Sequence, residues 1–160
     1  MVELQELFHV RYGVNLELNK LEQVSKGINF VSRTEKNNGV SAVVAPIDGI
    51  KALPAGAITV AGGGSVLATF LQPEPFYSGR DLYYLVPRED MNSIVKLYYC
   101  ACIRANKYRF SYGRQANKTL KNLLVPNLKD IPDWVSKDTV TKQITLIKDR
   151  SQSILDSVVA

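Results

Sequence analysis

Residues Thr59-Val60-Ala61-Gly62-Gly63-Gly64-Ser65-Val66 decide how this sequence is read. The apolar β run Ala57-Ile58-Thr59-Val60 ends in three glycines and a serine, and Val66-Leu67-Ala68-Thr69-Phe70-Leu71 then resumes extended character. β-Branched residues bounded by turn formers mark strands, so the segment predicts strand, glycine turn, strand. A phosphate loop would need Lys-Ser/Thr and a helix after the glycines; neither follows. A nucleophile elbow would need a second glycine where Leu67 stands. What remains for Gly63, Gly64 and Ser65 is a backbone turn able to come close to another molecule.

Working outward, Gln72-Pro73-Glu74-Pro75 breaks the chain, Phe76-Tyr77-Ser78-Gly79-Arg80 reads as a glycine turn flanked by Tyr77 and Arg80, and Leu82-Tyr83-Tyr84-Leu85-Val86 is the next strand, up to Pro87. The period then changes. Met91 to Lys107 predicts one helix, with Asp90 or Asn92 as N-cap and near-continuous apolar residues from Ile94 to Ile103, hence central to its domain. Upstream, Phe8–Gly13, Ile28–Val31 and Val40–Val44 are strands, and Leu16–Leu21 is a turn of helix or an extended connection. The polar loop Ser32–Gly39 ends in Asn38-Gly39, a strong turn signal. Leu120–Pro126 holds a last helical turn and a final strand. The fold expected is mixed α/β: a single domain over residues 1–135 with a twisted β-sheet and a central buried helix, then a C-terminal helix over 136–160.

That last helix differs in kind. Val140, Ile144, Ile147, Ile154 and Val158, with Ser151 in register, fall at spacings of 4, 3, 4, 3 and 4. This is a heptad seam of about three repeats. It suits either packing on its own domain or docking a partner helix.

The 160 residues carry 20 Lys+Arg against 15 Asp+Glu, a net charge of +5, which permits a polyanionic partner without requiring one. One His and two Cys leave little for metal or thiol chemistry. Cys100 and Cys102 sit two apart on a helix, on roughly opposite faces, and read as small buried hydrophobes. Carboxylates are scattered, with no nuclease metal pattern, so no metal ligand and no catalytic residue is assigned. A small metal-free hydrolase built on Ser65 or Asp81 is the one enzymatic reading left. No membrane span or signal peptide is legible, and the place of action expected is the cytoplasm.

The basic residues are not spread evenly. Between Ile103 and Asn122 there are six of them and no acid, interleaved with three aromatics and with Gln115, Asn117 and Asn122. Lys and Arg neutralise phosphates, whereas Arg, Gln and Asn can grip base edges bidentately. The loop Arg33-Thr34-Glu35-Lys36-Asn37-Asn38 has the same flavour. On composition alone the first is equally a solvated basic loop and the second an ordinary hairpin tip.

Taken in order, the run from Thr59 to Val66, then Pro75-Phe76-Tyr77, then Leu82–Leu85, a helix, Gly113-Arg114-Gln115-Ala116-Asn117-Lys118-Thr119-Leu120 and the tail Leu120-Lys121-Asn122-Leu123-Leu124-Val125-Pro126 resembles the target recognition domain of restriction-modification specificity (S) subunits. The opening at Phe8–Gly13 and the loop Ser32–Gly39 are closest to the branch in type I and type IIB systems. The resemblance spans about residues 5–135.

It implies a DNA-binding module rather than an enzyme, reading one half of a bipartite site in double-stranded DNA. S-adenosylmethionine and methyl transfer would belong to a DNA methyltransferase partner, and cleavage to a nuclease partner. One recognition domain also leaves room for a second copy of the chain, as a homodimer. Lys107, Arg109, Lys118 and Lys121 are then expected on phosphates, with Lys36 beside them. Arg114, Gln115, Asn117, Arg33, Asn37 and Asn38 are expected at base edges. Gly63, Gly64 and Ser65 form the close turn, and Tyr77, Arg80, Tyr108 and Tyr112 are further contact candidates. Val140, Ile144, Ile147, Ile154 and Val158 would dock the partner. The alternative is a relative that docks a methyltransferase or another protein without reading DNA.

Overall fold

The structure, a computed structural model, describes residues 1–110, 116–136 and 139–159. The chain begins with a short strand β1 (Val2–Glu3), one helical turn α1 (Leu4–Leu7) and strand β2 (Phe8–Tyr12). Next come β3 (Gln23–Val31), β4 (Val40–Val44), β5 (Ile58–Ala61), β6 (Thr69–Leu71), β7 (Phe76–Ser78) and β8 (Leu82–Pro87). Helix α2 (Ser93–Ala105), strand β9 (Leu124–Val125) and helices α3 (Asp133–Ser136) and α4 (Thr139–Val159) complete the order. Leu18–Lys20 is a 3-10 turn, which answers what the Leu16–Leu21 stretch becomes.

The β structure expected is distributed, among the described residues, over three sheets. β2-β8-β5-β6 is antiparallel throughout, β4-β3-β7 pairs β3 with β7 in parallel, and β1 pairs with β9. The four-stranded sheet is the middle layer. Ile58 and Val60 of β5 point to a core shared with Phe8, Leu85 and the buried face of α2 (Val95, Tyr99, Cys100, Ile103). Ala57 and Ala61 belong to a second core, with Val31, Leu53 and Phe76 from the three-stranded side. Period-two alternation thus feeds two cores from one strand, and all four residues of β5 are buried. Buried polar groups on β5 are satisfied: Thr59 Oγ1 donates to Phe70 O and accepts from Gln72 Nε2 at 3.1 Å, while Gln72 Nε2 also reaches Asn38 O.

Three expectations change. The strand expected over Val66–Leu71 starts only at Thr69, because Leu67 takes φ +60° in a turn. The helix expected over Met91–Lys107 runs Ser93–Ala105, with Asn92 Oδ1 accepting from Val95 N–H at 2.9 Å as its cap. Nor is that helix surrounded: Leu97 is 50% exposed, and Ala101, Arg104 and Ala105 continue the open face. Alanines make a run look uniformly apolar while burying little, so a one-sided helix was disguised as a central one.

At the other end, every described side chain of α4 from Thr141 to Val159 is exposed. Ile144, Ile147, Ile154 and Val158 stand in solvent alongside Leu146 and Leu155. The side chain of Val140 lies outside the described residues. No helix among the described residues is long and apolar enough to cross a membrane.

Candidate nucleic-acid interface

Four segments meet at one end of the four-stranded sheet: the β5–β6 turn, the β7–β8 turn, the β3–β4 loop and Ala116–Asn117. Backbone hydrogen bonds knot them together. Gly62 N–H donates to Asp81 O at 2.7 Å, Ala116 N–H to Gly62 O at 2.9 Å, and Gly79 N–H to Val31 O at 3.0 Å. Side chains add two ties: Tyr12 Oη accepts from Asp81 N–H at 2.8 Å, and Tyr83 Oη donates to Asn117 O at 2.9 Å. The two tyrosine rings meet edge to face, 5.1 Å between centroids.

The glycine turn is shaped by what crowds it. A Cβ on Gly62 would stand 2.1 Å from Asn117 Oδ1 and 3.0 Å from the Tyr83 ring. Gly64 has φ +61°, open to glycine at no steric cost, and its Cα faces the Arg33 side chain. Gly63 is buried behind Arg33 and Asp81, so of the three turn residues expected at a ligand only Gly64 and Ser65 reach the surface.

Two guanidiniums converge here on one carboxylate. Asp81 Oδ2 lies 3.1 Å from Arg33 Nη1 and 3.5 Å from Arg80 Nε. The Asp81 side chain is 15% exposed, that of Arg33 33% and that of Arg80 74%. Like charges that close would repel; the carboxylate holds both and leaves a net positive fork with unused N–H donors. Asp81 itself sits at φ +53°, a left-handed conformation uncommon outside glycine. Its carboxylate is committed to the two arginines. Among the described residues no group of three His, Cys, Asp or Glu converges on a metal position.

The β3–β4 loop is built from its own asparagines. Asn37 and Asn38 have φ of +48° and +56°, and their amides donate to Val40 O and Leu71 O. Both were expected at base edges; here each gives one amide N–H to the fold, Asn37 to the start of β4 and Asn38 to the end of β6. Lys36 is exposed on the same loop. Beside it Glu35 pairs with Lys107, whose ammonium holds the Glu35 carboxyl below its ordinary value. That pair borders a cavity of about 260 Å³ lined also by Leu67, Ala68, Phe70 and Arg104. Arg104 lies 4.7 Å over the Phe70 ring and donates to Thr69 O, so it anchors α2 on β6.

Of the other residues expected at DNA, Tyr108, Arg109, Lys118 and Lys121 are exposed, with Arg109 stacked 5.6 Å from the Tyr108 ring. Asn117 is half-buried behind Gly62, and Lys121 lines a different cleft. Tyr112, Arg114 and Gln115 lie outside the described residues. Tyr77 is corrected outright. It is 1% exposed, and its hydroxyl accepts from Ile47 N–H and donates to Ile50 O, so it is a core strut under β3. Sequence reading weighed Asp81 only as a hydrolase group and not as the anchor of two arginines, and it missed Tyr12 and Tyr83; the contact candidates of the glycine turn Phe76–Arg80 stop one residue short of the carboxylate.

With that geometry in place, the sequence pattern described as Type I restriction modification DNA specificity domain matches residues 1–132. The chain belongs to that family. This specificity domain is 30% identical over 146 residues to the Type II restriction enzyme BgcI specificity subunit S.BcgI of Heyndrickxia coagulans, covering 88% of this chain and 42% of that protein. Among solved structures it resembles a chain from work on complex assembly and conformational transition of the type I R-M system. The TM-score there is 0.66 at 19% identity, over 98% of this chain and 41% of that one. It also resembles the HsdS subunit from Thermoanaerobacter tengcongensis, with TM-score 0.63 at 19% identity, over 93% of this chain and 39% of that one. At such identity the likeness shows the fold. The specificity domain thus spans about two-fifths of the length of these relatives.

Proposed function

We propose that this specificity domain reads one half-site of a bipartite sequence in double-stranded DNA for a restriction-modification assembly. The observation that carries the reading is the Arg33–Asp81–Arg80 fork beside the Gly64–Ser65 turn, preorganised by backbone ties from four segments. A guanidinium whose position is already set loses little freedom on meeting a guanine edge or a phosphate. The exposed Lys36, Arg109 and Lys118 supply phosphate contacts around the fork. A second half-site calls for another recognition domain, from further sequence, another chain or a second copy. Methyl transfer with S-adenosylmethionine, and cleavage, fall to methyltransferase and nuclease subunits, and the setting is the cytoplasm. Helix α4, with Ile144, Ile147, Ile154 and Val158 in solvent, docks onto that assembly.

The test is selection from random duplexes followed by anisotropy titrations. Arg80→Ala and Arg33→Ala should each lower the preference for the selected site over random duplex by ~1–3 kcal/mol. Lys118→Ala should weaken both duplexes alike and flatten the salt slope by about 1. Preferences untouched by both arginine changes would remove the fork from base reading. A chain that selects no duplex would leave the protein-docking alternative.

A further inference from the structure

We propose that a cleft beside β2, where it meets the end of β8, binds phosphates of the DNA backbone outside the half-site, an assignment that rests on the DNA-reading role above. The cleft holds about 170 Å³ and is lined by Gln5, His9, Val10, Arg11, Arg88 and Lys121. At ~30 Å³ per water that is room for a hydrated phosphate group. Three permanent cations and an imidazole line it, and no carboxylate does.

Separate elements bring these groups together. Among the described residues β2 pairs only with β8, so its other edge is open, and His9 and Arg11, two apart, share a face. Arg88 follows Pro87, the partner of Phe8 in the ladder, and its Nε donates to Gln5 O at 2.8 Å. This tie fixes the guanidinium and leaves its terminal nitrogens for a second acceptor, the planar arrangement that suits phosphate oxygens. Lys121 arrives on the 3-10 turn Leu120–Asn122, fastened to α1 by Leu4 N–H donating to Leu123 O at 2.8 Å. Glu3, the carboxylate whose field reaches Lys121, is engaged elsewhere, accepting from Gln5 Nε2 and from Asn122 Nδ2. Arg11, His9 and Lys121 have no ion-pair partner among the described residues.

Placement ties the cleft to the reading loops. Arg11 precedes Tyr12, whose hydroxyl accepts from the Asp81 backbone inside the fork. At ~3.4 Å per residue, Phe8–Tyr12 spans about 14 Å, or about four base-pair steps of duplex. Arg11 and His9 lie on the face of β2 opposite Tyr12, and a duplex laid along that face from the fork end would pass Arg11, then His9, then Arg88.

The full chain with Arg11→Gln and Lys121→Gln together, and separately with Arg88→Gln, should be titrated against the selected duplex at several salt concentrations. The double variant should bind about 10-fold more weakly, with a salt slope shallower by about 1.8, at unchanged sequence preference. Trimming the flank of the duplex should weaken the unsubstituted chain to the level of the variants and leave the variants indifferent. An unchanged slope overturns the assignment. If the unsubstituted chain binds no duplex, the DNA-reading role fails and the cleft is judged on inorganic phosphate alone. Amide shifts confined to Gln5, His9–Arg11, Arg88 and Lys121 on millimolar phosphate would sustain it, and their absence would end it.

Discussion

The fork around Asp81 and helix α4 both offer side chains to solvent, and they are held in opposite ways. Around Asp81 each group is tied to another: Arg33 and Arg80 to the half-buried carboxylate, the Asp81 backbone to Gly62 and Tyr12, and Gly62 to Ala116. Along α4 the described apolar side chains stand in solvent; Ile147 is 64% exposed and Val158 76%. A constellation meant to discriminate must be rigid before the ligand arrives. On the proposed docking role, the seam of α4 can wait for a partner, because removal of its apolar surface from water would drive the pairing.

The largest stability effect should come from Gly62→Ala. The added methyl meets Asn117 Oδ1 and the Tyr83 ring, and moving either disturbs ties that hold the fork. Urea unfolding should show a loss of about 3 kcal/mol, the upper range for overpacking, together with loss of duplex preference. A fully stable Gly62→Ala chain would mean that the turn is far less crowded than the structure has it. Tyr77→Phe should cost ~1–2 kcal/mol by the same assay, since Ile47 N–H and Ile50 O lose their partner. Its salt slope on DNA should be unchanged, because the ring never reaches the surface; a shifted slope would return Tyr77 to the interface. The smallest effect on the fold should come from Ile147→Asp in α4, within ~0.5 kcal/mol of the unsubstituted chain as expected for an open surface. The same change should abolish association with its partner, read by sedimentation. A loss above ~1 kcal/mol would show that the seam packs on its own domain.

Local order was legible because local chemistry produces it. Strand β5 and the glycine turn follow from β-branched residues meeting Gly62-Gly63-Gly64, and the cap at Asn92 from a side chain able to accept from Val95. The β3–β4 loop was legible as a turn through Asn38-Gly39, but not as one that an asparagine amide ties to the end of β6. The Phe76–Arg80 segment misled because a Pro-flanked aromatic pair beside a glycine looks like a surface turn. In the fold β7 is instead sandwiched between β3 and the Leu53 bridge, with all three residues buried.

The sequence by itself determined the class of fold, the family-like order of turn, strand, helix and tail, and the heptad seam. All of these are written in short-range pattern and composition. Which exposed residues act together was decided only by tertiary structure. Arg33, Gly64 and Asp81 are far apart in the chain, and so are His9, Arg88 and Lys121. One set is assembled by the β5–β8 register and by backbone bonds from Val31 and Arg33 to the turns, the other by the pairing of β2 with β8 and the α1 contact. Register depends on which faces two separate cores bury, and no local window of the sequence holds both sides of that choice.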